Sequence, residues 1–248
     1  SMSRWQRQQG CWCLWPASPK GLVEFIGGSY LATNPQISYR RLLEGLAARQ
    51  LAVHAWSYVP GFDHQLQARE AWQALRTCRA ALNQRLGQDL VPVRVGHSLG
   101  CKLHLLAPDG GRNSLGMAAL SFNNFTAERS IPLLGTLAPS LGVVTEFSPG
   151  PEETLRLIER YYLQPNNLVI RFGTDQLDQS QDLMQALNRR SGDQSQFVAM
   201  KGDHLTPASA GLRQGLLGDW ADDPSRARMI GQLVDSISNV GLGLERQR

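Results

Sequence analysis

The run Gly96-His97-Ser98-Leu99-Gly100 places a serine midway between two glycines. It matches G-x-S-x-G, a pattern in which serine sits on a tight strand-to-helix turn with its hydroxyl exposed. The glycines allow strand and helix to approach more closely than a Cβ would permit. A serine hydroxyl attacks a carbonyl efficiently only when a base takes its proton and a third group orients that base. Of the five histidines, His54, His64, His97, His104 and His204, only His204 lies downstream of a carboxylate that itself follows Ser98. That is the serine, acid, histidine order expected with such an elbow. His204 falls in the loop-like segment Met200-Lys201-Gly202-Asp203-His204-Leu205-Thr206-Pro207, after an apolar run.

The acid should follow the preceding strand, and Leu168-Val169-Ile170-Arg171-Phe172-Gly173-Thr174-Asp175-Gln176-Leu177-Asp178 supplies two candidates. Asp175, two residues past Gly173, is the favoured acid; Asp178 is the alternative, with capping of the next helix as its competing role. An oxyanion needs two preorganised N–H donors. One is expected from Leu99, immediately after the serine. The other is expected from the early turn Gly27-Gly28-Ser29-Tyr30, with Gly28 or Ser29 ahead of Tyr30. Tyr30 and His64, on loops expected at the same sheet edge, are candidate substrate contacts. Asp63 beside His64 reads as a helix cap. His97 is the variable elbow residue, His104 a helix-packing residue and Cys101 a residue beneath the elbow.

These residues need strands and helices in alternation to bring them together. Apolar runs at 11–15 and 22–26 are separated by Pro16-Ala17-Ser18-Pro19-Lys20-Gly21, a strong turn signal. Leu42, Leu43, Leu46 and Ala47 mark a helix over 39–50, and residues 51–58 read as a strand. A long helix over 65–86 ends where Gly87 can cap it. Strands are expected at 91–96, 115–122, 168–172 and 197–200, with helices at 99–106, 181–190 and 226–240. Pro151-Glu152-Glu153 opens another helix, with proline in the first turn and acids at the positive dipole end. Pro132, Gly135, Pro139, Gly142, Pro149 and Gly150 interrupt the alternation, so 123–163 reads as a small lid or insertion. The pattern predicts one α/β domain over 3–248, with a mostly parallel sheet covered by helices on both faces.

Bulk composition narrows the function. Hydrophobic residues are 42% and charged residues 19% of 248, which is a globular rather than a disordered balance. No apolar run reaches the roughly 18–20 residues of a membrane span, and the polar start lacks a secretory signal's apolar stretch. A cytoplasmic location is the expectation. The net charge of +4 is spread over single basic positions and pairs such as Arg40-Arg41, not a stripe interleaved with aromatics, so nucleic acid is not expected as a partner. Four cysteines, Cys11, Cys13, Cys78 and Cys101, are too few and too irregular for a disulfide framework; Cys11 and Cys13 should share one face of a strand. No metal site or cofactor is expected, and oligomeric state is not readable.

With 24 glycines in the chain the elbow pattern alone is weakly specific, and its strand-before, helix-after context is what gives it weight. At these residues the sequence resembles the α/β-hydrolase superfamily. It is more closely similar to an uncharacterised branch of cyanobacteria and plant chloroplasts, known as a domain of unknown function. The segments that carry this are Phe25-Ile26-Gly27-Gly28-Ser29, the elbow extended through His104, Ser121-Phe122-Asn123-Asn124-Phe125, Thr145-Glu146-Phe147-Ser148-Pro149 and the His204 loop. The resemblance implies the α/β-hydrolase fold and suggests a serine hydrolase acting on a small-molecule acyl substrate. The expected reaction is hydrolysis of a carboxylic ester, a lipid or pigment ester suiting an apolar lid. The alternatives are a thioesterase or amidase, or a binding or scaffold protein that kept the fold without catalysis. Two departures from the superfamily stand out. Ile26 occupies a position where many lipases and esterases carry histidine, and Arg94 lies in the strand leading to the elbow.

Overall fold

The computed structural model describes residues 4–130, 146–208 and 224–246. Strands β1 (Trp5–Gln8), β2 (Cys11–Leu14), β3 (Gly21–Ile26), β4 (Leu51–Trp56), β5 (Pro92–His97), β6 (Gly116–Leu120), β7 (Asn167–Phe172) and β8 (Gln196–Met200) form one sheet. Their order is β1-β2-β4-β3-β5-β6-β7-β8. β2 pairs antiparallel with β1 and with β4, and every other pairing is parallel. The helices are α1 (Pro35–Ser38), α2 (Arg40–Ala48), α3 (His64–Leu86), α4 (Leu99–Leu105), α5 (Ala127–Ser130), α6 (Pro151–Tyr161), α7 (Ser180–Asn188) and α8 (Pro224–Arg246).

Residues of β3 alternate between two apolar layers, as the period of a strand requires. Val23 and Phe25 pack with Leu42, Leu43 and Leu46 of α2 and Leu233, Val234 and Ile237 of α8. Leu22 and Ile26 point the other way, toward Leu82 and Leu75 of α3. Farther along that second face, Ile158 of α6 and Leu183 and Leu187 of α7 pack on Met117 and Val169. Helices therefore cover both faces. Full burial of each such leucine contributes about 1.5–3 kcal/mol.

Local signals set several boundaries. Asp63 Oδ1 accepts from the Leu66 N–H at 2.9 Å and caps α3. Gly87 closes the same helix in the left-handed region at φ 65°, donating to Asn83 O. β1 lies in the polar stretch at the start of the sequence, where no strand is expected. It is an edge strand of half-buried and exposed residues, so it needs no apolar alternation. Gln9 and Gly10, both at positive φ, turn it into β2. α8 starts two residues before and ends six residues after the expected 226–240. Of the expected insertion at 123–163, residues 131–145 lie outside the described residues. Cys11 and Cys13 do share a buried face, and all four cysteines are free.

The chain runs from β3 outward to β4, then returns to β5 on the other side of β3. Such a reversal opens a crevice at the carboxyl ends of the parallel strands. The segments after β3, β5, β7 and β8 all leave the sheet at that edge.

Candidate active site

Ser98 directly follows β5 and adopts φ 57°, ψ −120°, a conformation costly for a residue with a side chain. Its N–H donates to Leu120 O at 2.9 Å, which ties the turn to β6. Neither flanking glycine tolerates a Cβ. At Gly96 it would fall 2.6 Å from the Cys101 nitrogen, and at Gly100 2.0 Å from Ile26 O. The Cys101 side chain, fully buried, meets Gly96 O and Leu120 O under the turn.

His204 stands on the loop after β8. Thr206 Oγ1 accepts from the Asp203 N–H at 2.8 Å, and Asp203 Oδ1 accepts from the Leu205 N–H at 2.9 Å. Arg226 of α8 donates to Leu205 O at 3.0 Å and anchors the loop from below. The imidazole Nε2 lies 3.0 Å from Ser98 Oγ, and Nδ1 lies 2.8 Å from Asp175 Oδ2. An ionised carboxylate only accepts, so Nδ1 carries the proton and Nε2 is left to accept from the serine hydroxyl.

Asp175 follows β7 and is buried. Its Oδ1 accepts from the Leu177 N–H at 2.8 Å. Burial alone would raise its pKa, but the hydrogen bond and charge of His204 and the Leu177 N–H outweigh it, and the carboxyl ends below its ordinary value. Asp178 behaves differently. Its Oδ1 accepts from the Ser180 N–H at 2.7 Å, at the start of α7. Burial, with the neighbouring Asp175 charge, raises its pKa. The imidazole thus contacts Asp175, and Asp178 takes the helix-start role.

Leu99 opens α4, and the first N–H groups of a helix have no acceptor within it. Between the two glycine-turn candidates the hydrogen bonding discriminates. The Gly28 N–H already donates to Tyr39 Oη at 2.8 Å. Ser29 opens the 3₁₀ turn Ser29–Leu31, whose geometry leaves its N–H without an internal acceptor. A Cβ on Gly28 would lie 3.1 Å from Ser98 Cβ, so this loop passes directly beside the serine.

Tyr30, 80% exposed, stands on the loop after β3, with exposed Val59 after β4 and Leu177 after β7. His64 is not on that rim. It is buried under Phe147, ring centroids 4.3 Å apart, and burial together with the Lys102 charge lowers its pKa to about 3. Two residues at the site carry no catalytic signature in the sequence. Tyr39 read as a helix start and His97 as a free elbow position, yet Tyr39 Oη and His97 Nδ1 lie 2.8 Å apart, and His97 Nε2 lies 2.7 Å from His204 O. The only available signal was a ring with two polar atoms in the elbow itself. Among the described residues no group of three or more His, Cys, Asp and Glu could hold a metal ion. None of their helices is long and apolar enough to cross a membrane.

A protein-family model for a protein of unknown function, DUF1350, matches residues 4–232. The chain belongs to that family. Solved structures similar to this DUF1350 member include a dienelactone hydrolase from Anabaena variabilis, at 15% identity and TM-score 0.59, covering 95% of this chain and 97% of that one. A thermophilic esterase from Thermogutta terrifontis with butyrate bound is similar at 13% identity and TM-score 0.62, covering 97% and 95%. A fluorophosphonate-binding serine hydrolase of Staphylococcus aureus is similar at 16% identity and TM-score 0.58, covering 96% and 97%. No curated protein matches the chain in sequence. At such identities the likeness carries the fold alone, and the DUF1350 chain has the α/β-hydrolase fold.

Proposed function

We propose that the protein is a serine hydrolase that cleaves carboxylic esters through Ser98, His204 and Asp175. The observation that carries this reading is one imidazole bridging Ser98 Oγ at 3.0 Å and a buried carboxylate at 2.8 Å. His204 takes the hydroxyl proton as Ser98 Oγ attacks the ester carbonyl. The imidazolium so formed is held by Asp175, which stays ionised. The tetrahedral oxyanion sits against the N–H groups of Leu99 and Ser29. His204 then returns the proton to the leaving alkoxide, and water repeats the sequence on the acyl-enzyme. Loss of a single oxyanion donor in such a site costs about 3–4 kcal/mol. Exposed Tyr30, Val59 and Leu177 give the rim an apolar character that suits an acyl chain more than a charged group. Esterases and hydrolases among the similar structures agree with this chemistry.

Covalent labelling with a fluorophosphonate tests the reading. Wild type should label, while Ser98→Ala and His204→Ala, both folded by circular dichroism, should not. A folded wild type that stays unlabelled and turns over no p-nitrophenyl ester would refute it and favour a non-catalytic binding protein.

A further inference from the structure

Tyr39 and His97 are both buried, on the α2 and α8 face of the sheet, and neither meets the serine hydroxyl. Their hydrogen bonds can run in one direction only. The backbone carbonyl of His204 accepts and cannot donate, so His97 Nε2 carries the proton in the 2.7 Å contact. Burial, with the neighbouring His204 charge, holds the His97 pKa down to about 3, so the ring is neutral and Nδ1 is bare. The Tyr39 hydroxyl must then donate to Nδ1 at 2.8 Å, leaving its oxygen to accept from the Gly28 N–H, also at 2.8 Å. Burial raises the phenol's pKa above its ordinary value, which keeps that proton in place.

The chain of bonds therefore reads Gly28 N–H to Tyr39 Oη–H to His97, and His97 Nε2–H to the His204 carbonyl. One end holds the loop that passes beside Ser98. The other holds the backbone of the residue that bridges serine and acid. Packing fits the same arrangement. A Cβ on Gly27 would fall 2.6 Å from the Tyr39 ring, and Tyr58 Oη donates to Gly27 O at 2.7 Å. The His97 and His204 rings lie 5.2 Å apart, centroid to centroid.

We propose that Tyr39 and His97 are positioning residues that set His204 and the Gly28–Ser29 loop in register around Ser98. The proposal rests on the serine-hydrolase reading for its effect on rate, and on the hydrogen-bond chain for its effect on geometry. Tyr39→Phe deletes one oxygen, keeps the ring against Phe25, and leaves both the Gly28 N–H and His97 Nδ1 unpartnered. His97→Leu removes the whole link. His97→Gln retains an N–H donor near the place of Nε2 and restores the bond to the His204 carbonyl.

The test compares second-order rate constants for fluorophosphonate labelling, normalised to the fraction of folded protein, with the downfield proton resonance of the His204 Nδ1–H. Tyr39→Phe and His97→Leu should label about tenfold to a hundredfold more slowly, the scale of a misplaced base or oxyanion donor. His97→Gln should recover most of the rate lost in His97→Leu. The Nδ1–H resonance, assigned by its loss in Asp175→Asn, should broaden in His97→Leu and persist in His97→Gln. Rates within twofold of wild type in folded Tyr39→Phe and His97→Leu would overturn the proposal. An Nδ1–H resonance unchanged in His97→Leu would overturn it even if wild type fails to label. Absent labelling in wild type with a resonance that responds to His97 would instead refute the hydrolase reading and leave the positioning intact.

Discussion

Mild acid should destabilise this protein strongly, and the agents are histidines away from the reacting imidazole. His54, His64, His97 and His104 are all buried. Burial lowers the pKa of His54 to about 4 and those of the other three to about 3. Hydrogen bonds point the same way for two of them. His54 Nε2 lies 2.8 Å from the Trp15 indole nitrogen, which only donates, so a second proton on His54 would face another donor if it sat there. His97 Nδ1 is claimed by the Tyr39 hydroxyl. For a base with a depressed folded pKa, the unfolded chain takes up protons first. The stability such groups confer is fully present above the ordinary value near 6.5 and is lost as pH falls below it. Each fully titrating site costs about 1.4 kcal/mol per pH unit. From about pH 7.5 to about pH 5.5 each histidine costs roughly 1.4 kcal/mol, and four together about 5 kcal/mol. A typical domain has about 5–15 kcal/mol in total, so the loss is a large share of it. Buried Glu24 and half-buried Asp178, whose carboxyl pKa values are raised by desolvation, oppose it as pH nears their own titration. Urea denaturation followed by tryptophan fluorescence at several pH values measures the slope. His104→Gln, which keeps a donor for Glu24 O and Val95 O, should remove about a quarter of it. Stability that stays flat down to about pH 5.5 would refute the reasoning, because it would mean these rings take up protons equally in the folded protein.

Three further outcomes test the site and its scaffold. Asp175→Asn should lower kcat/KM for an ester by about 10⁴-fold, because the amide no longer holds the Nδ1–H tautomer, whereas Asp178→Asn should cost less than about tenfold. Gly100→Ala should destabilise by about 3 kcal/mol or more in urea melts, since its Cβ would lie 2.0 Å from Ile26 O. Gly231→Ala in α8 meets nothing within 4 Å and should stabilise by about 0.5–1 kcal/mol.

The elbow was legible because its chemistry demands particular residue types at fixed spacing, and the histidine loop because the serine, acid, histidine order left one candidate histidine. The apolar run of β3 and the cap at Gly87 were equally readable, each expressing a local rule that tertiary contacts reinforce. β1 was not, because an exposed edge strand carries no apolar pattern. The choice between Gly28 and Ser29 was also closed to sequence. It turns on the Tyr39 hydroxyl, eleven residues away along the chain, and on which proton His97 carries. His64 shows the opposite failure: its loop leaves the sheet at the expected edge, but the ring is covered by Phe147, more than eighty residues further on.

Arg94 and Ile26, the two departures from the superfamily pattern, turn out to lie off the reacting groups. Arg94 forks onto Asp109 at 2.8 and 2.6 Å and approaches Glu24 Oε1 at 3.7 Å. Burial would raise the Asp109 pKa, but the Arg94 pair and the Gly111 and Asn113 N–H groups bring it to about 2. The guanidinium is thus neutralised within the helix layer and presents no bare charge to the serine. Removing one partner of such a buried pair typically costs about 3–5 kcal/mol, so Arg94 is retained by its partners and not by the reaction. At Ile26 the relevant group is the carbonyl, which Gly100 crowds so closely that α4 can seat there only without a Cβ. A histidine side chain at this position would alter the loop's lining but not that contact. Both departures therefore change the support of the elbow, while the bonds that join Ser98, His204 and Asp175 involve neither.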